Sequence, residues 1–364
     1  CGRFGGMNHN TPLSPRPLSH LSDARRRVLT NAQLRAHGVT NAEINEQCRP
    51  GGAWQQFLPG VCLLHPGPPT GEERLHAVLM YATRSAFREP PLRAQGIPVQ
   101  PAAAGPGAQE PPAPQRYPDA MITGLAALTL HGFSSAPSLL SLDRVDVLVP
   151  RLRRLRSTGC ARIVRAPALP KPEEVTGLPV APVPRALADA VAELSEAGTV
   201  RRLLTEAVRG GHCEPAAVVR ELTQARLLNR PHVVDAVDTL LAEGRAIAED
   251  HLYRMVREHG LPDPVWNVDL CLPGGPHLGG LDAYWPEQAV ALELDTRAPR
   301  QDDDALWSEY ARKREHLERL GITVVHVTPR KLRDALDQQA AVVRTALMAA
   351  CDRDPSAYVV VLPR

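Results

Sequence analysis

Seven prolines fall within residues 96–118 of this 364-residue chain, among Ala, Gly and Gln. Proline withholds a backbone donor and fixes φ, so the stretch can build neither an apolar face nor a strand ladder; it reads as a semi-rigid, extended linker. It separates a head of about 90 residues from a body of about 245, and at roughly 100–200 residues per domain the length allows two or three cores. The expected division is a disordered tail at 1–20, a head at 21–90, the linker at 91–118, a middle region at 119–243 ending in helices, and a C-terminal domain at 244–364.

Charge gives no global signal. Lys+Arg 42 against Asp+Glu 40 leaves +2. The distribution is uneven, because residues 244–364 hold 15 basic and 19 acidic side chains, net −4, which leaves +6 on residues 1–243. Only 3 of the 42 basic residues are Lys, a bias that fits a GC-rich coding sequence and gives Arg abundance little functional weight by itself. The seven cysteines are scattered, odd in number and lack a CxxC pair. That argues against a disulfide scaffold or a cysteine zinc site and leads us to expect a reducing cytoplasm. No apolar run approaches the ~18–20 residues that span a bilayer, so no membrane partner is expected. The polar, Pro-rich start is unlike a secretory signal, and Cys1 with Met7 just beyond reads as a fragment, tag or displaced start rather than a lipoprotein terminus.

In the head, Thr30-x-x-Gln33 and Thr40-x-x-Glu43 are capping boxes ten residues apart, and Gly38 between them can end the first helix. The β-prone runs around Pro59 and Gly60, from Trp54 to Leu64, then predict a hairpin. Two short helices and a hairpin make a winged helix-turn-helix, with Asn41 and Asn45 on the second helix as candidate DNA contacts. The same pattern also fits a plain structural hairpin of helices.

The body opens with a predicted helix over 120–130 and a strand over 145–149. Arg151, Arg153, Arg154 and Arg156 follow, and residues 143–165 hold seven Arg against two Asp. These four arginines are candidate phosphate contacts, since each neutralised phosphate releases a counterion; the competing reading is a solvated turn. Residues 183–225 have helical spacing and read as core.

The C-terminal region carries the chemistry. A helix over 248–257 bears Glu249; strands are predicted over 265–272, around Asp282 and around Glu293 and Asp295, with a turn at Pro286 and Glu287. A two-residue loop there would pair Asp282 with Ala291 and set Glu293 one diagonal step away on the same face. Glu293 sits in an otherwise apolar run, where an acid is costly unless paired or metal-bound. Asp282, Glu293 and Asp295, with Glu249 in support, are therefore the candidate ligands of a hard cation, Mg²⁺ or Mn²⁺, able to activate water toward a phosphodiester. Solvent-facing acids are the bland alternative.

Asp282, Glu293-x-Asp295, a helix over 306–320 and a strand over 322–328 resemble the PD-(D/E)xK restriction-endonuclease-like fold, and more narrowly the nucleases related to very-short-patch repair. That resemblance implies an α/β domain with a central mixed sheet and a metal held by the Asp and Glu. Asp295 stands where the broader family has Lys, and Lys313 on the following helix is the candidate substitute. Where the narrower group continues Asp-Gly-x-x-His, this chain has Asp295, Thr296, Arg297, Ala298 and Pro299; His326 replaces an Arg of the last strand. The head from Val28 to Gln33 and from Trp54 to Pro66, with the segments 124–132, 145–150 and 177–187, is similar to AbiEi-type antitoxins. That likeness implies DNA at an operator as partner and, in some members, a nucleotidyltransferase toxin. The expected whole is a multidomain α/β chain: winged helix-turn-helix, mixed α/β middle region and nuclease-like domain. Two functions remain open, a metal-dependent DNA endonuclease or a non-catalytic DNA-binding regulator with a degenerate nuclease fold.

Overall fold

The computed structural model describes residues 27–83, 117–296, 304–351 and 359–363. The expected tail at 1–20 and the Pro-rich stretch up to residue 116 lie outside the described residues. Among the described residues the chain is mixed α/β, with eleven α-helices and three sheets, none closed into a barrel. It divides into two compact units, residues 1–190 and 191–364.

In the first unit, β1 (Val28–Thr30) leads into α1 (Asn31–Ala36), followed by α2 (Asn41–Gln47), β2 (Gln55–Leu58) and β3 (Val61–Leu63). Both capping boxes form. Gln33 N–H donates to Thr30 Oγ1 at 3.2 Å while Thr30 N–H donates to Gln33 Oε1 at 2.9 Å; the Thr40–Glu43 pair repeats this at 3.2 and 2.7 Å. The bond from Thr40 N–H holds the Glu43 carboxyl below its usual range. β3 is the centre of an antiparallel sheet in the order β1-β3-β2, and Leu34 and Ile44, the buried residues of the two helices, pack around Cys62.

Next comes α3 (Gly71–Thr83), buried from Glu73 to Thr83. A helix covered on all sides belongs to a core, and its polar side chains tie that core together. Arg74 donates to the carbonyls of Leu139 (3.0 Å), Asp143 (3.2 Å) and Leu142. His76 Nδ1 lies 2.6 Å from the hydroxyl of Tyr117, itself buried. Tyr117, within the stretch expected to be linker, is thus buried against α3, and the head and the middle region belong to one compact unit.

The middle region is a mixed five-stranded sheet in the order β6-β5-β4-β8-β7, built from β4 (Met121–Thr123), β5 (Val145–Pro150), β6 (Ala161–Ala166), β7 (Glu173–Val175) and β8 (Leu178–Val180). The helix predicted over 120–130 begins only at Gly124 (α4, Gly124–Leu130), because residues 121–123 are the sheet's middle strand. A short apolar run has no period that distinguishes helix from strand, and β-branched Ile122 and Thr123 suit the strand.

The helices α5 (Val183–Glu193), α6 (Ala197–Arg209), α7 (Pro215–Gln224) and α8 (Pro231–Glu258) bear out the helical reading of 183–225. α8 runs unbroken for 28 residues, so the boundary expected at 243/244 falls inside it. Gly244 is a packing residue: a Cβ there would stand 2.5 Å from Pro215 Cγ.

A second mixed sheet, in the order β12-β11-β10-β9-β13, follows from β9 (Val265–Cys271), β10 (His277–Trp285), β11 (Val290–Leu294), β12 (Thr323–Val327) and β13 (Val360–Pro363). Interleaved are α9 (Asp304–Arg319), α10 (Pro329–Asp334) and α11 (Leu336–Cys351). Ala248 and Leu252 of α8 join Val343 and Leu347 of α11 over Trp285, Leu292 and Val325. Leu317 of α9 packs with Tyr284 and Ala291 in a separate cluster. The sheet is thus covered on both faces, and all five residues of β11 are buried.

Thr70-x-x-Glu73 is a third capping box: Thr70 N–H donates to Glu73 Oε2 at 2.8 Å, and Glu73 N–H to Thr70 Oγ1 at 3.2 Å. Glu73 Oε1 also meets Arg27 Nε at 2.9 Å and His65 Nε2 at 3.1 Å. Burial pushes the Glu73 carboxyl up, but Thr70, His65 and Arg27 together hold it below its usual range. A depressed carboxylate contributes stability that is present above the unfolded value of about 4.3 and is lost as pH falls through the folded value. Glu73→Gln should cost about 2 kcal/mol at pH 7, and the gap to wild type in thermal melts should close as pH is lowered below about 4. A gap that persists at low pH would contradict the assignment.

Candidate functional site

The second unit gathers its chemistry where β10 and β11 part. The strands pair antiparallel through Ala283↔Leu292, Tyr284↔Ala291 and Trp285↔Val290. One step further along this register stand Asp282 and Glu293, directly opposed. The expected pairing of Asp282 with Ala291 is therefore corrected by two residues, because the turn uses four residues, 286–289, instead of two. A two-residue slip preserves the face, since side chains alternate with period two, so the two acids still share it. The ladder stops at Ala283↔Leu292, and Leu294 N–H donates to Asp282 Oδ2 at 2.6 Å.

Asp282 and Glu293 are each only 8% exposed. Unpaired, such charges would be untenable in an apolar sheet. Asp282 Oδ1 accepts from Arg245 Nη2 at 2.6 Å, and Arg245 Nε meets Glu249 Oε1 at 2.8 Å one turn along α8. Glu293 Oε1 accepts from Lys313 Nζ, which also donates to Gly280 O at 2.7 Å. His326 lies across from Glu293 in the parallel β11–β12 pair, its Nδ1 3.4 Å from Glu293 Oε2. Two cations face three carboxylates, leaving one negative charge when His326 is neutral. Lys313 reaches this position because β10 has Gly279 beneath it: a Cβ there would lie 2.5 Å from Lys313 Cε, and the residue's φ is +123°.

The predicted residues thus separate into two groups. Asp282, Glu293 and Lys313 come together; Glu249 joins through Arg245, which the sequence reading missed although Arg245 and Glu249 have helical i,i+4 spacing. Asp295 does not complete a metal-binding trio: among the described residues no three Asp, Glu, His or Cys side chains are grouped to hold a metal. β11 ends at Leu294, and the Asp295 N–H, one residue past it, bonds Val327 O at 2.9 Å. Mg²⁺ is commonly held by one or two acids with water and phosphate oxygens, and Asp282 and Glu293 are the two acids here that could supply such a pair.

The first unit holds the other candidates. Arg151, Arg154 and Arg156 are exposed and Arg153 is half-buried in the β5–β6 connection. Main-chain carbonyls are held from outside the loop, Arg156 O by Tyr81 hydroxyl at 2.7 Å, and Leu155 O and Arg153 O by the Arg165 guanidinium. Arg162 is spent on Asp146 through a bidentate pair at 2.5 and 2.6 Å. No acid occurs from residue 147 to 172 of the sequence. Asn41 and Asn45 are exposed and, four residues apart on α2, share a face.

No family model and no curated protein matches the chain. No helix among the described residues is long and apolar enough to cross a membrane.

The acid–cation pairing is testable by stability. Lys313→Met should destabilise the protein by about 3 kcal/mol by leaving Glu293 without its cation. Adding Glu293→Gln should restore at least about 1 kcal/mol of this, the coupling expected of a contacting pair. Strict additivity in denaturant melts would show that the pair does not hold the strands.

Proposed function

We propose that the protein binds DNA and that residues 191–364 carry a phosphodiester-cleaving centre of the restriction-endonuclease-like kind. The observation that carries this reading is the opposition of Asp282 and Glu293 on adjacent buried strands, with Lys313 brought from the next helix onto Glu293. Buried acids on central strands, held beside a lysine, make a poor structural element and a suitable centre for phosphoryl chemistry. Asp282 and Glu293 would hold Mg²⁺ or Mn²⁺; when bound, such an ion supplies Lewis acidity toward a phosphate oxygen and acidifies water. Arg245 orients the Asp282 carboxylate. Lys313, bonded to Glu293 and Gly280 O, is placed to orient a water or meet a phosphate oxygen. In the first unit, the capped helix pair and its hairpin support a winged-helix reading, with Asn41 and Asn45 toward bases and Arg151, Arg153, Arg154 and Arg156 toward phosphates.

A second reading has its own support. Both acids are already paired with cations, which is how a nuclease fold that has lost catalysis would keep its sheet intact. On that reading the protein is a DNA-binding regulator of the antitoxin type, with a toxin as partner.

Supercoiled plasmid incubated with Mg²⁺ or Mn²⁺ separates the two. The enzyme reading expects metal-dependent nicking that Asp282→Asn and Glu293→Gln each reduce at least 100-fold. Absence of nicking, or nicking that survives both substitutions, leaves the regulator. For binding, Arg151→Ala with Arg154→Ala should weaken affinity on all sequences alike and flatten the slope of log K against log[salt] by about 1 per lost phosphate contact; an unchanged slope excludes this loop.

A further inference from the structure

The head contains a pair of cysteines that the proposed function does not use. Cys48 caps α2, its N–H bonded to Ile44 O at 3.0 Å, and is half-buried. Cys62 lies on the central strand β3 with no exposed surface. Their sulfurs are 3.8 Å apart, Cys48 donating to Cys62, and Cys62 donates in turn to Asn31 Oδ1 at 3.3 Å. Both belong to the small cluster around Leu34 and Ile44 that holds the helix pair on the sheet. A disulfide has an S–S distance of about 2.05 Å, so the two sulfurs need to close by less than 2 Å, within reach of rotamer adjustment and a small shift of the helix end.

We propose that Cys48 and Cys62 form a modification site, a dithiol that takes a low-molecular-weight disulfide as substrate and is converted to an intramolecular disulfide fastening α2 to β3. The order of attack follows from access. Burial, with Cys48 alongside, pushes the Cys62 thiol up to about 12, so Cys62 is a poor first nucleophile. Half-buried Cys48, deprotonated by solvent, attacks one sulfur of the small disulfide, forming a mixed disulfide and releasing one thiolate. Cys62 then attacks the Cys48 sulfur, passing its proton to the departing small thiolate, and the second small thiol leaves. Two protein thiols are oxidised by two electrons, and one small disulfide is reduced to two thiols. The bond closes a loop between residues 14 apart in sequence and restricts the unfolded chain, while Asn31 Oδ1 loses its sulfhydryl donor.

The test uses the full chain and 2-hydroxyethyl disulfide, a small neutral probe, under native conditions, with acid quench, alkylation of free thiols and peptide mapping. The expected product joins the Cys48 and Cys62 peptides with loss of two hydrogens, melts several degrees higher than the reduced protein, and reverts with dithiothreitol. Cys62→Ala should instead accumulate a stable mixed disulfide on Cys48, and Cys48→Ser should leave Cys62 unmodified. If wild type keeps a persistent mixed disulfide on Cys48 with Cys62 free, the proposal is wrong. The same holds if both stay alkylatable after prolonged exposure, or if Cys48 joins a second chain. The wild-type measurement stands even where a variant fails to fold.

Discussion

The second unit depends on the cost of burying two acids in an apolar sheet. β11 is buried at every position, and Glu293 cannot turn to solvent from it. Its charge is tolerable only because Lys313 descends from α9, and Lys313 can descend only because β10 has Gly279 beneath its alkyl chain. Asp282 needs the same relief and receives it from Arg245 and from the main-chain N–H that the parting strands leave over. Helix register, glycine placement and the end of the ladder are one arrangement, each element set by two negative charges that could not otherwise stay.

The first unit meets a similar constraint differently. α3 is covered on nearly all sides, and its charged residues are used as fasteners. Glu73 holds the preceding turn and Arg27, while Arg74 gathers three carbonyls from the segment before β5. The Arg74 bonds join residues on either side of the Pro-rich stretch, so the head and the following sheet cohere although a long segment separates them in sequence. The β5–β6 loop is fixed in the same manner, through its carbonyls, which leaves Arg151, Arg154 and Arg156 projecting from a braced backbone.

Much of this was legible in residues alone where the signal was local. The Thr30 and Thr40 boxes, the Gly60 hairpin and the strands bearing Asp282 and Glu293 all rest on interactions within a few residues. The errors were nonlocal or ambiguous by nature. Residues 121–123 are too short and apolar for a period to separate strand from helix, and the domain start expected at residue 244 falls inside a continuous helix, where Gly244 packs against Pro215. The β10–β11 register was off by two because turn length is settled by how the strands meet, but the shared face of the acids survived, since an even slip cannot change it.

The sequence by itself determined that acids would sit on adjacent apolar strands and that a lysine would follow on the next helix, because alternation and helical spacing are properties of the backbone. Only the tertiary structure decided which acids meet. It brought Arg245 to Asp282 and Lys313 to Glu293, set His326 beside them, and left Asp295 beyond the strand end. The reason is that a cross-strand neighbour depends on where pairing begins and stops, and an ion pair depends on which helix faces the sheet. Both are settled by packing among residues far apart in the chain.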